Sequence, residues 1–375
     1  MRVIMTCGGT GGHINPAIAI ANTIKDNDKD AEILFIGTKR GQESRLVPKE
    51  DYDIKYVKSE GFDRDRSMYS PKNIRVLVRA VVSPFAARRI IKRFKPDIVI
   101  GTGGYACWPT LKAASMLGVP SIVHESNAKA GMAVKKMQNS VDRILVNFEA
   151  TKNSLVAKEK VIQVGNPIRT AFKNMDKIAE RHALGIADDE LLVLSCGGSG
   201  GAEFFNEIIP KIMATRASER KNVKMIHSTG VNRYKECLAK YRELDGADNP
   251  NMTLVDYVYD MHRKMAAADL VICRAGAMTI SEISMMGKAA IIIPSPNVTD
   301  NHQYENAKVL ADAGAAVLLE EKDIDVNILW NEIRSLCDDK KKREEMSSKI
   351  LSFARPDANK IIFDEIVKLV NEKRK

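Results

Sequence analysis

Cys7-Gly8-Gly9-Thr10-Gly11-Gly12 and Cys196-Gly197-Gly198-Ser199-Gly200-Gly201 are two versions of one hexapeptide, set about half the chain apart. Each follows an apolar run, Val3-Ile4-Met5 in the first case and Leu191-Leu192-Val193-Leu194 in the second, and each precedes helix-compatible sequence. Strand, glycine turn and helix, given twice at that interval, predict two doubly wound α/β domains in tandem. Short β-branched runs continue the pattern outward, at 32–36, 97–100, 121–123, 143–146 and 161–164, then at 224–226, 252–255, 270–273 and 290–293. Helical stretches separate most of them, which predicts parallel sheets with crossover helices. Gly165-Asn166-Pro167 is the predicted hinge, because proline breaks regular structure and holds the preceding residue extended. The tail 356–375 carries Ile361, Ile362, Ile366, Val367, Leu369 and Val370 at helical spacing. The expected domains are 1–166 and 167–355, with the helix 356–375 returning to the first.

A chain of 375 residues with 45% hydrophobic and 28% charged content is expected to fold as a globular protein of two or three domains. It contains no apolar run long enough for a transmembrane helix, and the opening residues do not form a secretory signal, so a cytoplasmic location is expected. None of the six cysteines forms a C-x-x-C pair, so reduced, buried thiols are expected. A formal charge of +10 admits nucleic acid, an anionic membrane surface or an anionic substrate as partners. No nucleic-acid motif supports the first.

A glycine turn between strand and helix lets backbone approach a ligand and aims N–H groups at an anion. Two further turns stand at predicted strand ends, Gly101-Thr102-Gly103-Gly104 and Arg274-Ala275-Gly276-Ala277. Four such turns describe a cleft lined by amides, suited to a diphosphate. His13 directly follows the first turn and could take a proton from an acceptor hydroxyl; it could equally be a packing histidine. Glu125, at the end of another strand, is the rival base. Glu282 stands early in the helix after Gly276, where a carboxylate can accept both hydroxyls of a ribose or simply face solvent. No zinc, Walker A or nucleophile-elbow pattern is present, and Asp63-Arg64-Asp65, which formally fits D-x-D, is discounted because it lies in a polar loop. Neither metal nor cofactor is expected.

Taken together, these stretches resemble the MurG family of glycosyltransferases, in family 28 of the GT-B class. The resemblance rests on Gly8-Gly9-Thr10-Gly11-Gly12-His13 with Asn15-Pro16, Thr102-Gly103-Gly104-Tyr105, His124-Glu125-Ser126-Asn127-Ala128, and Gly165-Asn166-Pro167-Ile168-Arg169. In the second half it rests on Gly197-Gly198-Ser199, the run from Cys273 to Glu282, and Asp300-Asn301-His302-Gln303 with Asn306. It implies the GT-B fold, two Rossmann-like doubly wound domains facing across a cleft. It implies transfer of N-acetylglucosamine from UDP-GlcNAc to the C4 hydroxyl of the muramoyl sugar on undecaprenyl-diphosphate (lipid I), with inversion. Donor contacts are implied from Thr10, Gly11, Gly12 and Asn127 in the first half. In the second they are implied from Arg169, Ser199, Val258 (to uracil, through its backbone), Ala277, Met278, Thr279, Ile280, Ser281, Glu282 (to ribose) and Gln303. His13 is the implied base. Two departures stand out: Gly200 replaces a glutamine common in the second turn, and Cys107-Trp108 replaces small residues, which bears on the acceptor pocket.

An acceptor with a bilayer-embedded tail implies peripheral docking on the cytoplasmic face of the membrane. The segment 72–95 offers Lys72, Arg75, Arg79, Arg88, Arg89, Lys92, Arg93 and Lys95 with no intervening acid, interleaved with apolar residues. Pro84 is expected to split it into two short helices. The rival readings are another lipid-directed GT-B transferase, a sugar-nucleotide epimerase on the same fold, and a non-catalytic nucleotide-sugar-binding subunit.

Overall fold

The computed structural model describes residues 1–61, 67, 70–173, 175–198 and 200–374, without the side chains of 71–73, 75, 77 and 80. Asp63, Arg64 and Asp65 lie outside the described residues, as does Ser199. The chain forms two compact units, Met1–Ile168 with Arg355–Lys375, and Arg169–Ala354.

The first unit runs β1 (Arg2–Thr6), α1 (Gly11–Asn27), β2 (Glu32–Gly37), α2 (Glu43–Leu46), β3 (Asp53–Tyr56), α3 (Pro71–Phe94), β4 (Ile98–Gly101), α4 (Cys107–Met116), β5 (Ser121–Glu125), α5 (Met132–Met137), β6 (Arg143–Val146) and β7 (Val161–Gln163). The second runs α6 (Lys177–Ala183), β8 (Leu191–Cys196), α7 (Glu203–Thr215), β9 (Val223–Ser228), α8 (Tyr234–Arg242), β10 (Met252–Val255), α9 (Met261–Ala267), β11 (Leu270–Cys273), α10 (Ala277–Met285), β12 (Ala290–Ile292), α11 (His302–Asp312), β13 (Val317–Leu318), α12 (Val326–Asp338) and α13 (Lys340–Leu351). The chain then returns to the first unit as α14 (Ala358–Arg374).

Both sheets are wholly parallel, ordered β3-β2-β1-β4-β5-β6-β7 and β10-β9-β8-β11-β12-β13. The strand order therefore reverses between β1 and β4, and again between β8 and β11. In the first unit Ile4, Ile36 and Val99 pack into one core, while Val3, Met5, Phe35 and Ile98 pack into another. Burial on both faces explains why these strands read as continuous apolar runs and not as alternating ones.

The two strands that the sequence does not signal, β3 and β13, each lie at one edge of their sheet. β3 is mostly exposed, and β13 is two residues long. One expectation is overturned: α3 runs through Pro84 as a single helix. A helix-interior proline loses a hydrogen bond and crowds the preceding turn at a cost of about 3 kcal/mol. Val76, Ala87 and Ile91 are buried on either side of it, and this packing keeps the helix continuous.

α14 packs on α1, burying Ile362, Ile366, Leu369 and Val370 in the same core as Ile20, Ile24 and Val164. Arg143 pairs with Glu365 and Glu372, Lys373 with Asp142, and Arg374 with Asp97. Asn359 closes the crossover: its Oδ1 accepts from Ile168 N at 3.0 Å and its Nδ2 donates to Ile168 O at 3.2 Å.

Candidate active site

The carboxyl ends of the strands flanking a topological switch are where ligands of doubly wound sheets bind. In the first unit the turn after β1 and the turn after β4 meet there. Gly103 adopts φ +108°, and a Cβ on it would stand 2.5 Å from His13 Nδ1, so glycine is required for the imidazole to sit where it does. His13 Nδ1 lies 3.0 Å from the carbonyl oxygen of Thr102, and Thr102 Oγ1 returns a 2.7 Å hydrogen bond to His13 O. A carbonyl only accepts, so Nδ1 carries the proton and a neutral His13 holds its lone pair on Nε2. The bond thus fixes both the ring's orientation and its tautomer.

Thr10 is exposed and caps α1 through its backbone, its carbonyl accepting from His13 N and Ile14 N at 3.0 and 3.2 Å. It has no side-chain cap, so Gly11 and Gly12 stand at the positive end of a 17-residue helix. Gly9, by contrast, donates its N–H to the carboxylate of Glu43 at 3.1 Å. The sequence reading of the first turn as a set of amides open to a diphosphate is corrected at that residue.

Glu125, buried at the end of β5, accepts from Asn127 N and Asn127 Nδ2, both at 3.0 Å, and from Gly131 N at 2.7 Å. It therefore ties residues 125–131 into one loop and places Asn127 within it. His124 Nε2 donates to Gly165 O at 2.9 Å, and burial lowers its pKa, which keeps the ring neutral. Trp108 is half-buried on α4, packed against the first unit's core.

In the second unit the turns after β8 and β11 occupy the corresponding place. A buried chain supports the first of them. Ser195 Oγ donates to His227 Nδ1 at 3.0 Å, His227 Nε2 donates to Asn206 Oδ1 at 3.0 Å, and Asn206 Nδ2 donates to Thr229 O at 2.9 Å. Burial pushes His227 down to about 3, so it acts as a neutral link. Gly200 is exposed, with open space where a side chain would begin, so the missing glutamine leaves room at the turn. After β11, Asn306 Nδ2 donates to Ala275 O at 3.1 Å and fixes the approach to α10. Met278 and Thr279 lie in the first turn of that helix, while the side chains of Ala277, Ile280 and Ser281 are buried beneath it.

Glu282 stands one turn further on, half-buried, with Oε1 3.2 Å from Arg169 Nη2. Burial raises its pKa, and the Arg169 guanidinium offsets this in part. Gln303 Oε1 accepts from Ser295 N at 2.8 Å, which leaves its amide group directed away from that contact. A cavity of about 370 Å³ opens beside it, lined by Phe204, Ser295, Asn301 and Tyr304 among others. Val258 is buried in the loop after β10, flanked by Tyr257 and Tyr259, whose rings meet edge to face with centroids 5.0 Å apart.

Sequence reasoning did not find Glu43, the Ser195–His227–Asn206 chain or the Thr102 carbonyl, because all act across long sequence separations. No group of three or more metal-ligating side chains occurs among the described residues, and no described helix is long and apolar enough to cross a membrane.

Comparison with known proteins agrees with this geometry. The glycosyltransferase family 28 N-terminal domain matches residues 3–146, and the family 28 C-terminal domain matches residues 192–362. The UDP-N-acetylglucosamine--N-acetylmuramyl-(pentapeptide) pyrophosphoryl-undecaprenol N-acetylglucosamine transferase of Acetivibrio thermocellus is 41% identical over 373 residues, 100% of this chain and 99% of its own. The crystal structure of Acinetobacter baumannii MurG superposes with a TM-score of 0.79 at 28% identity, covering 98% of this chain and 99% of that one. The UDP-GlcNAc 2-epimerase of Neisseria meningitidis matches with a TM-score of 0.65, covering 98% of this chain and 100% of its own, but at 14% identity it shares the fold alone. Paired Rossmann-like domains of the GT-B fold, glycine turns at both switch points and a full-length match of this quality have one meaning: the chain belongs to the MurG family of glycosyltransferase family 28.

Proposed function

We propose that this chain transfers N-acetylglucosamine from UDP-GlcNAc to the C4 hydroxyl of the muramoyl sugar of lipid I, with inversion, giving lipid II for peptidoglycan synthesis. The full-length similarity to transferases of that name carries the reading, and the two half-sites supply the chemistry.

The second unit takes the donor. The first turn of α10 offers amides to the diphosphate, Glu282 accepts the ribose hydroxyls, the Val258 backbone reads the uracil, and Gln303 meets the sugar. Ser199 belongs to this set by its place in the second glycine turn. The first unit provides the base, with Thr10, Gly11, Gly12 and Asn127 as further donor contacts. The C4 oxygen attacks the anomeric carbon from the face opposite the leaving group, and the bond from that carbon to the diphosphate oxygen breaks with its electron pair going to UDP. His13 Nε2 takes the hydroxyl proton. Positive helix ends stabilise the charge that develops on the departing diphosphate. Among the chain's own residues Glu125 is cast as the holder of the Asn127 loop, because its oxygens already accept three N–H groups.

Docking on the anionic cytoplasmic leaflet is assigned to α3. Ile74, Val78, Val81, Val82 and Phe85 form an exposed apolar stripe at helical spacing, with Arg89, Lys92 and Arg93 exposed beyond it. Arg79 pairs with Glu60 and Arg88 is half-buried, so the exposed basic residues carry the attraction.

The deciding experiment is transfer of radiolabel from UDP-GlcNAc to synthetic lipid I. Labelled lipid II supports the assignment. Label moving to a diacylglycerol acceptor, or a change of the free nucleotide sugar without acceptor, replaces it with a rival activity.

A further inference from the structure

Glu43 opens the short helix α2 in a polar stretch of sequence, yet it is fully buried. It lies where glycines converge. A Cβ on Gly8 would come within 3.1 Å of its Oε1, and a Cβ on Gly37 within 2.6 Å of its Cγ. Three neutral donors meet its oxygens: Thr38 N and Thr38 Oγ1 reach Oε1, both at 2.7 Å, and Gly9 N reaches Oε2 at 3.1 Å. An acceptor-only carboxylate suits that donor set. The Thr38 contacts are local, whereas the Gly9 contact spans 34 residues and lands on the turn that leads into His13.

We propose that Glu43 is a positioning residue for the transfer reaction: it clamps Gly9 and thereby fixes the turn that delivers His13. The inference rests on His13 being the base. Gly9 has φ +92°, in the region glycine enters at no cost, so its own backbone does not hold it there. The Thr102–His13 bonds grip one side of the histidine and the Glu43–Gly9 bond grips the turn on the other. A base must be held close to its productive position, because a displacement of about 1 Å can cost around 100-fold in rate.

Glu43→Gln tests this with near-identical shape. An amide presents one accepting oxygen, and whichever way it turns, one backbone N–H faces an NH₂. The Thr38 pair is the stronger claimant, so Gly9 loses its partner. With the full-length enzyme, UDP-GlcNAc and synthetic lipid I, kcat should fall by about 10- to 100-fold. The UDP dissociation constant, the acceptor KM and the melting temperature should stay close to the parent's. Thr38→Val, which removes one donor to Oε1 and spares Gly9, should keep kcat within about twofold of the parent. Should the Gln variant not fold, Glu43→Asp keeps the charge and withdraws the oxygen from Gly9, with the same expected pattern. Parental kcat in a folded Gln or Asp variant overturns the proposal. So does a loss of kcat matched by loss of melting temperature and UDP binding, which describes a merely structural carboxylate. His13→Ala, measured alongside, separates the two readings: if that variant keeps full turnover, the base assignment fails whatever Glu43 does.

Discussion

Arg169 Nη2 sits 3.2 Å from Glu282 Oε1, an ion pair in which the guanidinium is 64% exposed and the carboxylate only 14%. The carboxylate is the fixed member. Arg169 also lies over the ring of Phe172, 4.9 Å from its centroid, and so is held in reach of Glu282. A ribose approaching Glu282 meets one oxygen already engaged. Glu282→Ala should weaken UDP binding by about 1.5–3 kcal/mol, roughly ten- to a hundredfold in Kd. Titration calorimetry checks this, and unchanged affinity would remove Glu282 from the donor site.

The same pair sets a pH dependence. Burial holds the Glu282 carboxyl above the ordinary range near 4.3, with Arg169 opposing the shift. Ribose hydroxyls donate to the ionised form. UDP affinity is therefore full above the raised pKa and declines as pH falls through it, beginning at a higher pH than an ordinary glutamate would give. Glu282→Gln should flatten that acid limb, and Arg169→Ala should move it to higher pH. Affinity profiles of the three proteins that superimpose down to pH 4 would contradict the assignment.

His13→Ala should lower kcat by about 10²–10⁴ while UDP affinity is kept. Near-normal turnover of the variant would pass the role to another group.

Val81→Asp with Phe85→Asp should abolish binding to anionic vesicles while UDP binding persists, since both residues are more than half exposed on α3. Arg89→Glu alone should weaken binding more at low salt than at high salt. Co-sedimentation with anionic and neutral vesicles is the measurement, and equal sedimentation of parent and double variant places the docking surface elsewhere.

Lys288 is buried, with Nζ donating to the carbonyls of Ala266 and Ala268. Burial, with Lys177 and Arg181 nearby, pushes its ammonium down to about 7. Between that value and about 10.4 the unfolded chain binds the proton and the folded chain does not, so this residue makes stability rise with pH across the window. The stability of the parent relative to Lys288→Met should increase from pH 7 to pH 9.5 in denaturant titrations. A difference that stays constant with pH would show that Lys288 titrates normally.

The paired hexapeptides at 7–12 and 196–201 made the architecture legible, since each follows an interior strand of its sheet and stands where the strand order reverses. β3 escaped because its Asp53-Ile54-Lys55-Tyr56 is mostly exposed and carries no apolar run, and β13 because it is only two residues long. Pro84 misled because a local rule was outweighed by burial on both sides of it. At the site, His13, Glu125 and Glu282 were legible as residues at strand ends or just beyond glycine turns. Their partners were not. Glu43 reaches Gly9 and Thr102 reaches His13 through the fold, and nothing in the local pattern of either residue announces the contact.

The return of α14 to the first unit gives the two halves of the chain different folding histories. During synthesis residues 169–354 emerge as one continuous segment that carries its whole core within itself. The N-terminal sheet leaves the ribosome before the second unit yet waits longer, because its seat for Ile362, Ile366, Leu369 and Val370 stays empty until that helix has been made. The first unit is thus completed only after the second has been made. A nascent chain stalled before residue 358 would expose that greasy seat on α1 to every chaperone and protease within reach.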